Sequence, residues 1–181
     1  MALAYPRHAV LTGAPGAGKT TLLSAAAVAG FCTSPEVARQ LLQQPGGMAL
    51  READPVGFAE AMLEAHVREF ELAAAQPGPV LFDRGFPDVV GFLAVSGLAV
   101  PRRIDQTCRQ LRYYGPIFRA PAWAAIYRQD HERIQTWEQA AASDEAVTAA
   151  WRHYGYTVID LPLAGVEERL ELLTARLQPA A

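Results

Sequence analysis

Lys19 is the only lysine among 181 residues; every other basic side chain is an arginine. It stands in Gly13-Ala14-Pro15-Gly16-Ala17-Gly18-Lys19-Thr20, a complete G-x-x-x-x-G-K-[ST] loop followed by Thr21. Each residue type has a chemical reason. Glycines let the backbone wrap an anion without Cβ clashes. The free amides from about Gly16 to Thr21 then point at it from a helix N-terminus. A flexible ammonium such as Lys19 suits the bridge between β- and γ-phosphates better than a planar guanidinium. Thr20 supplies a hydroxyl for Mg²⁺, and Thr21 reaches the α-phosphate. The loop predicts binding of a nucleoside triphosphate, with Mg²⁺ as cofactor and ATP as the expected substrate.

A second group of polar residues ends an apolar run, Pro79-Val80-Leu81-Phe82-Asp83. A carboxylate at the carboxyl end of such a strand is where a metal partner for Thr20 belongs, which makes Asp83 the second candidate metal ligand. The next residue separates reaction classes. Many water-activating ATPases end this strand Asp-Glu, whereas this chain reads Asp83-Arg84-Gly85. Arg84 suits clamping of a phosphoryl group or an anionic acceptor. A plainer reading makes Arg84 a helix-start arginine paired with Asp88. In Ser34-Pro35-Glu36-Val37-Ala38-Arg39, Glu36 is the candidate base for an acceptor hydroxyl and Arg39 its orienting partner; Glu36 in a helix's first turn also suits the helix dipole. Further on, Arg128 and Arg133 in Ile126-Tyr127-Arg128-Gln129-Asp130-His131-Glu132-Arg133 are candidates to fold over the triphosphate. The alternative is a surface ladder with Asp130 and Glu132. Tyr113, Tyr114, Phe86 and Trp123 are either core rings or stacking partners for a ring-shaped substrate. The segment Asp160 to Gly165 is placed to receive an adenine.

The elements that must position these residues alternate in an α/β manner. Strands are predicted at 8–12, 31–33, 79–83, 117–119 and 156–160. Helices are predicted at 18–29, from Ser34-Pro35 to Gln44, from Asp54-Pro55 to Ala75, and at 87–95, 103–113, 131–142, 144–154 and 166–177. Five short strands with helical crossovers imply a doubly wound, five-stranded parallel sheet with helices on both faces. Its ligands sit at the carboxyl ends of the strands. A single domain spanning 1–181 is expected, with a candidate lid at about 121–142.

Composition narrows the class. Hydrophobic content of 51% and charged content of 19% suit a globular enzyme. A net charge of −3 offers no basic footprint for nucleic acid, and Arg102, Arg103, Arg109 and Arg112 read as a solvated helix face. Cys32 and Cys108 lack any metal-type spacing and read as thiols in a reducing compartment. With no charged leader and no apolar run near 20 residues, a cytoplasmic location is expected. The lone lysine also rules out the Asn/Thr-Lys-x-Asp guanine reader, and no Leu-Ser-Gly-Gly transporter signature occurs.

The loop 13–21, Pro35-Glu36-Val37-Ala38-Arg39, Phe82-Asp83-Arg84-Gly85, Ala120-Pro121-Ala122-Trp123 to Tyr127-Arg128, and Gly155-Tyr156 to Leu161-Pro162 together resemble the small bacterial predicted P-loop ATPases grouped under AAA domains. That group is similar in arrangement to nucleoside and nucleotide kinases, including the nicotinamide riboside kinase domain. The resemblance covers nearly the whole chain. It implies a three-layer P-loop NTPase fold, with Glu36 as the acidic residue near the acceptor, Asp83-Arg84 as the Asp-Arg pair, and Arg128 and Arg133 as lid arginines. No base-reading motif of the thymidylate-kinase type follows Asp83-Arg84. The leading expectation is an Mg²⁺-ATP-dependent phosphotransferase acting on a small hydroxylated or nucleoside-like metabolite. The alternative is an ATP-binding switch or partner-dependent ATPase, in which the same site controls a protein partner. A polynucleotide 5′-end kinase fits the acidic balance poorly.

Overall fold

The computed structural model describes residues 8–127 and 136–177. Five strands form one sheet in the order β2-β3-β1-β4-β5: β1 (Ala9–Gly13), β2 (Cys32–Thr33), β3 (Val80–Asp83), β4 (Ile117–Ala120) and β5 (Val158–Asp160). All four pairings are parallel, with Val10 opposite Phe82 on one side of β1 and Ile117 on the other. β1 and β3 are buried along their whole length, which is why they read as unbroken apolar runs instead of alternating ones.

The pleat sorts these residues onto two faces. Val10, Phe82 and Ile117 join the apolar cluster under α4 (Pro55–Ala73), α5 (Phe86–Val95), α6 (Arg102–Gln110) and α7 (Trp137–His153). Ala9, Leu11, Leu81 and Phe118 join the opposite cluster under α1 (Lys19–Val28) and α8 (Val166–Leu177). The sheet therefore lies between two helical layers, as the alternation of elements predicted. Gly91 shows how tightly one layer is set: a Cβ there would lie 2.7 Å from the Val147 Cα of α7.

Local chemistry explains several boundaries. Asp54 caps α4 by accepting the Gly57 amide at 2.9 Å, with Pro55 in the first turn. Thr136 and Gln139 form a reciprocal capping box at the start of α7. Among the boundaries that differ from those read in the sequence, three change an element's start or number. The helix expected from Ser34 is α2 (Val37–Gln43), because the Ser34 hydroxyl instead accepts the Asp83 amide at 3.0 Å. The interval between Gln44 and Asp54, where no element was predicted, holds α3 (Gly47–Ala53): Gly46 takes φ +80°, and a Cβ on Gly47 would collide with the Leu41 carbonyl. The two helices expected at 131–142 and 144–154 are, over the described residues, the single α7. Asp144, read as the opening of the second helix, lies in its middle. It is 2% exposed because its carboxylate accepts from Arg119 (2.8 and 3.0 Å) and the Ala122 amide (3.0 Å). Residues 131–135 of the helix expected at 131–142 lie outside the described residues, as does Asp130.

Candidate functional site

The glycine loop leaves β1 at the centre of the sheet, where the chain order reverses between β3 and β4. Gly13, Gly16 and Gly18 have φ of +117°, +73° and +80°, a region that favours glycine. Gly13 is also required for space: a Cβ there would run into the Ala120 carbonyl, which accepts the Ala14 amide at 3.0 Å. The loop is thus fastened to β4. Gly18 caps α1, whose first turn holds no acidic side chain, so its positive end is free for an anion. Thr20 and Thr21 are exposed there, while Lys19 is 8% exposed and donates from Nζ to the Gly13 and Ala14 carbonyls. Burial, then the nearby Arg84 cation, pushes the Lys19 ammonium down to about 7, against the pull of Asp83, Glu36 and Asp88.

Asp83 is 5% exposed, and its Oδ1 has no hydrogen-bond partner among the described residues. A buried unpaired carboxylate oxygen that shares a cleft with a threonine hydroxyl suits a hard cation. Thr20 and Asp83 therefore fit Mg²⁺. Burial, then the neighbouring Glu36 charge, raises the Asp83 carboxyl to about 6, although Lys19 and Arg84 oppose the rise. Between the ordinary carboxylate range and about 6 the folded state therefore binds more protons than the unfolded chain. Stability falls as pH rises through that interval and the loss persists at neutral pH. Asp83→Asn is expected to stabilise the ligand-free protein at pH 7.5 by about 1–2 kcal/mol, roughly 3–6 °C in Tm. It should also abolish the extra Tm gain that Mg²⁺ gives to ATP. A lower Tm in the variant would contradict this account of Asp83.

Arg84 is the one non-glycine residue with positive φ, +68°, among the described residues. Such strain persists only where surroundings impose it. Its amide donates to the Leu11 carbonyl at 3.0 Å, and Nη1 donates to the Gly13 carbonyl at 3.2 Å and to Asp88 Oδ1 at 2.9 Å. The pair with Asp88 is present, and it sets the guanidinium against the base of the phosphate loop. Asp88 was missed as a site residue in the sequence. Its buried carboxylate also accepts from the Thr12 hydroxyl (2.6 Å), the Gly85 amide (3.0 Å) and the Trp151 indole (2.9 Å). The i,i+4 spacing to Arg84 was a visible signal, but the partners 76 and 63 positions away were not.

Glu36 lies just before α2 and not in its first turn, its side chain makes no capping hydrogen bond, and its carboxylate lies 3.3 Å from Arg39 Nε. Both line a cavity of about 310 Å³ with Thr20, Ser34, Gln40 and Asp83. The structure thus brings Glu36 and Arg39 to the same cleft as the metal candidates. A second cavity, about 520 Å³, lies at the amino ends of β4 and β5 beside Tyr114, Tyr156 and Arg176, at the opposite edge from the phosphate loop. Arg128 and Arg133 lie outside the described residues. Of the four aromatic candidates, Phe86 and Tyr113 are core rings, 0% and 3% exposed with centroids 5.0 Å apart. Tyr114 is exposed, and Trp123 lies 5.0 Å from the guanidinium of Arg169. In the segment proposed for adenine, Asp160 is paired with Arg119 at 3.2 Å, and the Pro162 carbonyl accepts from Arg169 at 2.8 Å. Arg169 was also missed, although it shares one face of α8 with the buried Leu173 four residues on.

The basic stretch 102–112 is largely spent in local pairs: Arg103 with Glu64, Arg109 with Asp105, and Arg112 with the Tyr154 carbonyl. Both cysteines are free thiols. Cys32 is exposed, and burial pushes the Cys108 thiol up to about 12. No helix among the described residues is long and apolar enough to cross a membrane.

This arrangement has solved counterparts. A deoxyadenosine kinase from M. mycoides with bound dATP matches at TM-score 0.71 and 13% identity, covering 94% of this chain and 98% of that one. The same enzyme with bound dCTP matches at TM-score 0.66 and 15% identity, covering 94% of this chain and 98% of that one. The NadR protein in complex with NR matches at TM-score 0.72 and 15% identity; 96% of this chain is covered but only 52% of NadR. At these identities the likeness is one of fold: a P-loop NTPase sheet of the nucleoside-kinase kind. No curated protein sequence matches the chain. A sequence model of the AAA domain family matches residues 8–169, and the chain belongs to that family.

Proposed function

We propose that the protein is an Mg²⁺-ATP-dependent phosphotransferase acting on a small hydroxylated or nucleoside-like metabolite. The observation that carries this reading is the cleft of about 310 Å³ in which Glu36 and Arg39 face the Thr20 and Asp83 end of the phosphate loop. Its size suits a small acceptor instead of a polymer. Asp83 is followed by Arg84, not by a carboxylate that could activate water. A kinase fold supports the same direction.

In this reading the acceptor hydroxyl oxygen attacks the γ-phosphorus, and the bond from that phosphorus to the β–γ bridging oxygen breaks. The hydroxyl proton passes to Glu36, and ADP leaves. Lys19 follows the charge on the β- and γ-oxygens, and Arg84 stabilises the base of the loop where that charge develops. Mg²⁺ held near Thr20 and Asp83 would neutralise β- and γ-oxygens. Arg39 holds Glu36 until the acceptor arrives. Arg128 and Arg133 are assigned to the transferring group on their spacing alone.

Glu36→Gln is expected to lower kcat about 10²- to 10⁴-fold, the usual contribution of a positioned general base, with little change in KM for ATP. Steady-state kinetics with a nucleoside acceptor that supports turnover measures this. A wild-type kcat in the variant would remove Glu36 from the mechanism.

A further inference from the structure

The oddest charge in the molecule is Arg169. It sits in the first turn of α8, where a cation opposes the helix dipole, and it is 3% exposed. It forms no ion pair among the described residues, and burial lowers its pKa. Two of its guanidinium nitrogens have partners: Nε donates to the Pro162 carbonyl at 2.8 Å and Nη1 to the Ala17 carbonyl of the phosphate loop at 2.7 Å. Nη2 is buried and has none among the described residues. Leaving a charged donor unpaired costs about 1–3 kcal/mol or more, so helix stability does not explain this residue.

Its position does. The phosphate chain has two ends. The γ end is marked by Asp83 on β3, to one side of β1. The nucleoside end must then leave the loop toward the β4 and β5 side. There Arg169, the Pro162 turn and Trp123 meet, and a Cβ on Gly18 would lie 3.5 Å from Arg169 Nη1 and 3.6 Å from Ile126 Cδ1. The Trp123–Tyr127 turn, closed by the Ile126 and Tyr127 amides on the Trp123 carbonyl, lies beside the guanidinium.

We propose that Arg169 is a nucleobase-binding residue of the donor site, its Nη2 donating to an acceptor atom on the edge of the donor's base. Nη2 is covered in this structure, so a base that reaches it displaces the adjoining turn, and Trp123 reports the event. The assignment rests on the nucleotide-binding reading above but not on the identity of the acceptor.

The test compares Mg²⁺-ATP with Mg²⁺-tripolyphosphate, which has the phosphates and no base, by calorimetry on the full chain. Arg169→Met is expected to weaken ATP binding about tenfold more than it weakens tripolyphosphate binding, the excess being the loss of one charge-assisted hydrogen bond to the base. Equal losses for both ligands would make Arg169 a brace for the loop and overturn the assignment, as would no loss for either. Wild-type protein that binds neither ligand would overturn the nucleotide reading and this assignment with it. Should Arg169→Met fail to fold, tryptophan emission of the wild type decides. ATP, but not tripolyphosphate, should change a component of the emission that is absent in Trp123→Phe. An identical response to both ligands, or none, would count against the proposal.

Discussion

Lys19→Met is expected to weaken Mg²⁺-ATP binding by about 10²- to 10³-fold, as expected from the loss of charge-assisted bonds worth roughly 3–4 kcal/mol in total. No other lysine exists to substitute for it, and the neighbouring Arg84 is held by Asp88 and the Gly13 carbonyl. The effect carries a pH signature. The Lys19 ammonium is pushed down to about 7, chiefly by burial, in a site where a bound triphosphate would favour its charged form. Above pH 7, binding must therefore draw a proton from solvent, and affinity should fall as pH rises. Below about 6 the Asp83 carboxyl takes up a proton and the metal site weakens. Mg²⁺-ATP affinity should peak between these two values. Calorimetry at pH 8 in buffers of different ionisation enthalpy should show uptake of close to one proton in the wild type and none in Lys19→Met. A wild-type affinity that keeps rising toward pH 9 would contradict the assignment of Lys19.

Asp88→Ala should be the most damaging single change outside the phosphate loop. Four donors from β1, the β3–α5 turn and α7 converge on this one carboxylate, and one of them is the largely buried guanidinium of Arg84, 16% exposed. Removing one partner of a buried pair leaves the other charge uncompensated, which typically costs about 3–5 kcal/mol. The indole of Trp151 and the Thr12 hydroxyl lose their acceptor at the same time. Denaturant unfolding followed by tryptophan emission gives the magnitude. Asp88→Asn, which keeps the shape and one acceptor oxygen, should recover part of the stability. It should still lower turnover, because Arg84 would no longer be pinned at its strained backbone position. A loss below about 1 kcal/mol in Asp88→Ala would show that the cluster is not the anchor described above.

The contrast between legible and hidden features has a physical basis. β1 and β3 were readable because burial on both faces demands continuous apolar side chains, and the phosphate loop because its chemistry fixes residue types at fixed spacing. Asp83 followed from strand polarity alone. α3 was hidden because Gly46 and Gly47, which ordinarily end helices, here start one: Gly46 supplies a left-handed turn and Gly47 a close approach to Leu41. Asp144 looked like a helix opening because its partner, Arg119, lies 25 positions earlier on another element. Arg169 was hidden for the same reason, since Ala17 is 152 residues away. Apart from α3, what escaped the sequence is the set of long-range polar contacts, whose partners no local period records.

The most direct test of the proposed reaction is ³¹P NMR of the purified protein with Mg²⁺-ATP and pooled nucleosides and other hydroxylated metabolites, with Lys19→Met as control. A new phosphomonoester or phosphoanhydride resonance that grows as ADP forms, and is absent in the Lys19 variant, is the predicted result. Lys19-dependent conversion of ATP to ADP and orthophosphate alone, at a rate indifferent to every acceptor pool, would contradict the phosphotransferase account and point to the ATPase.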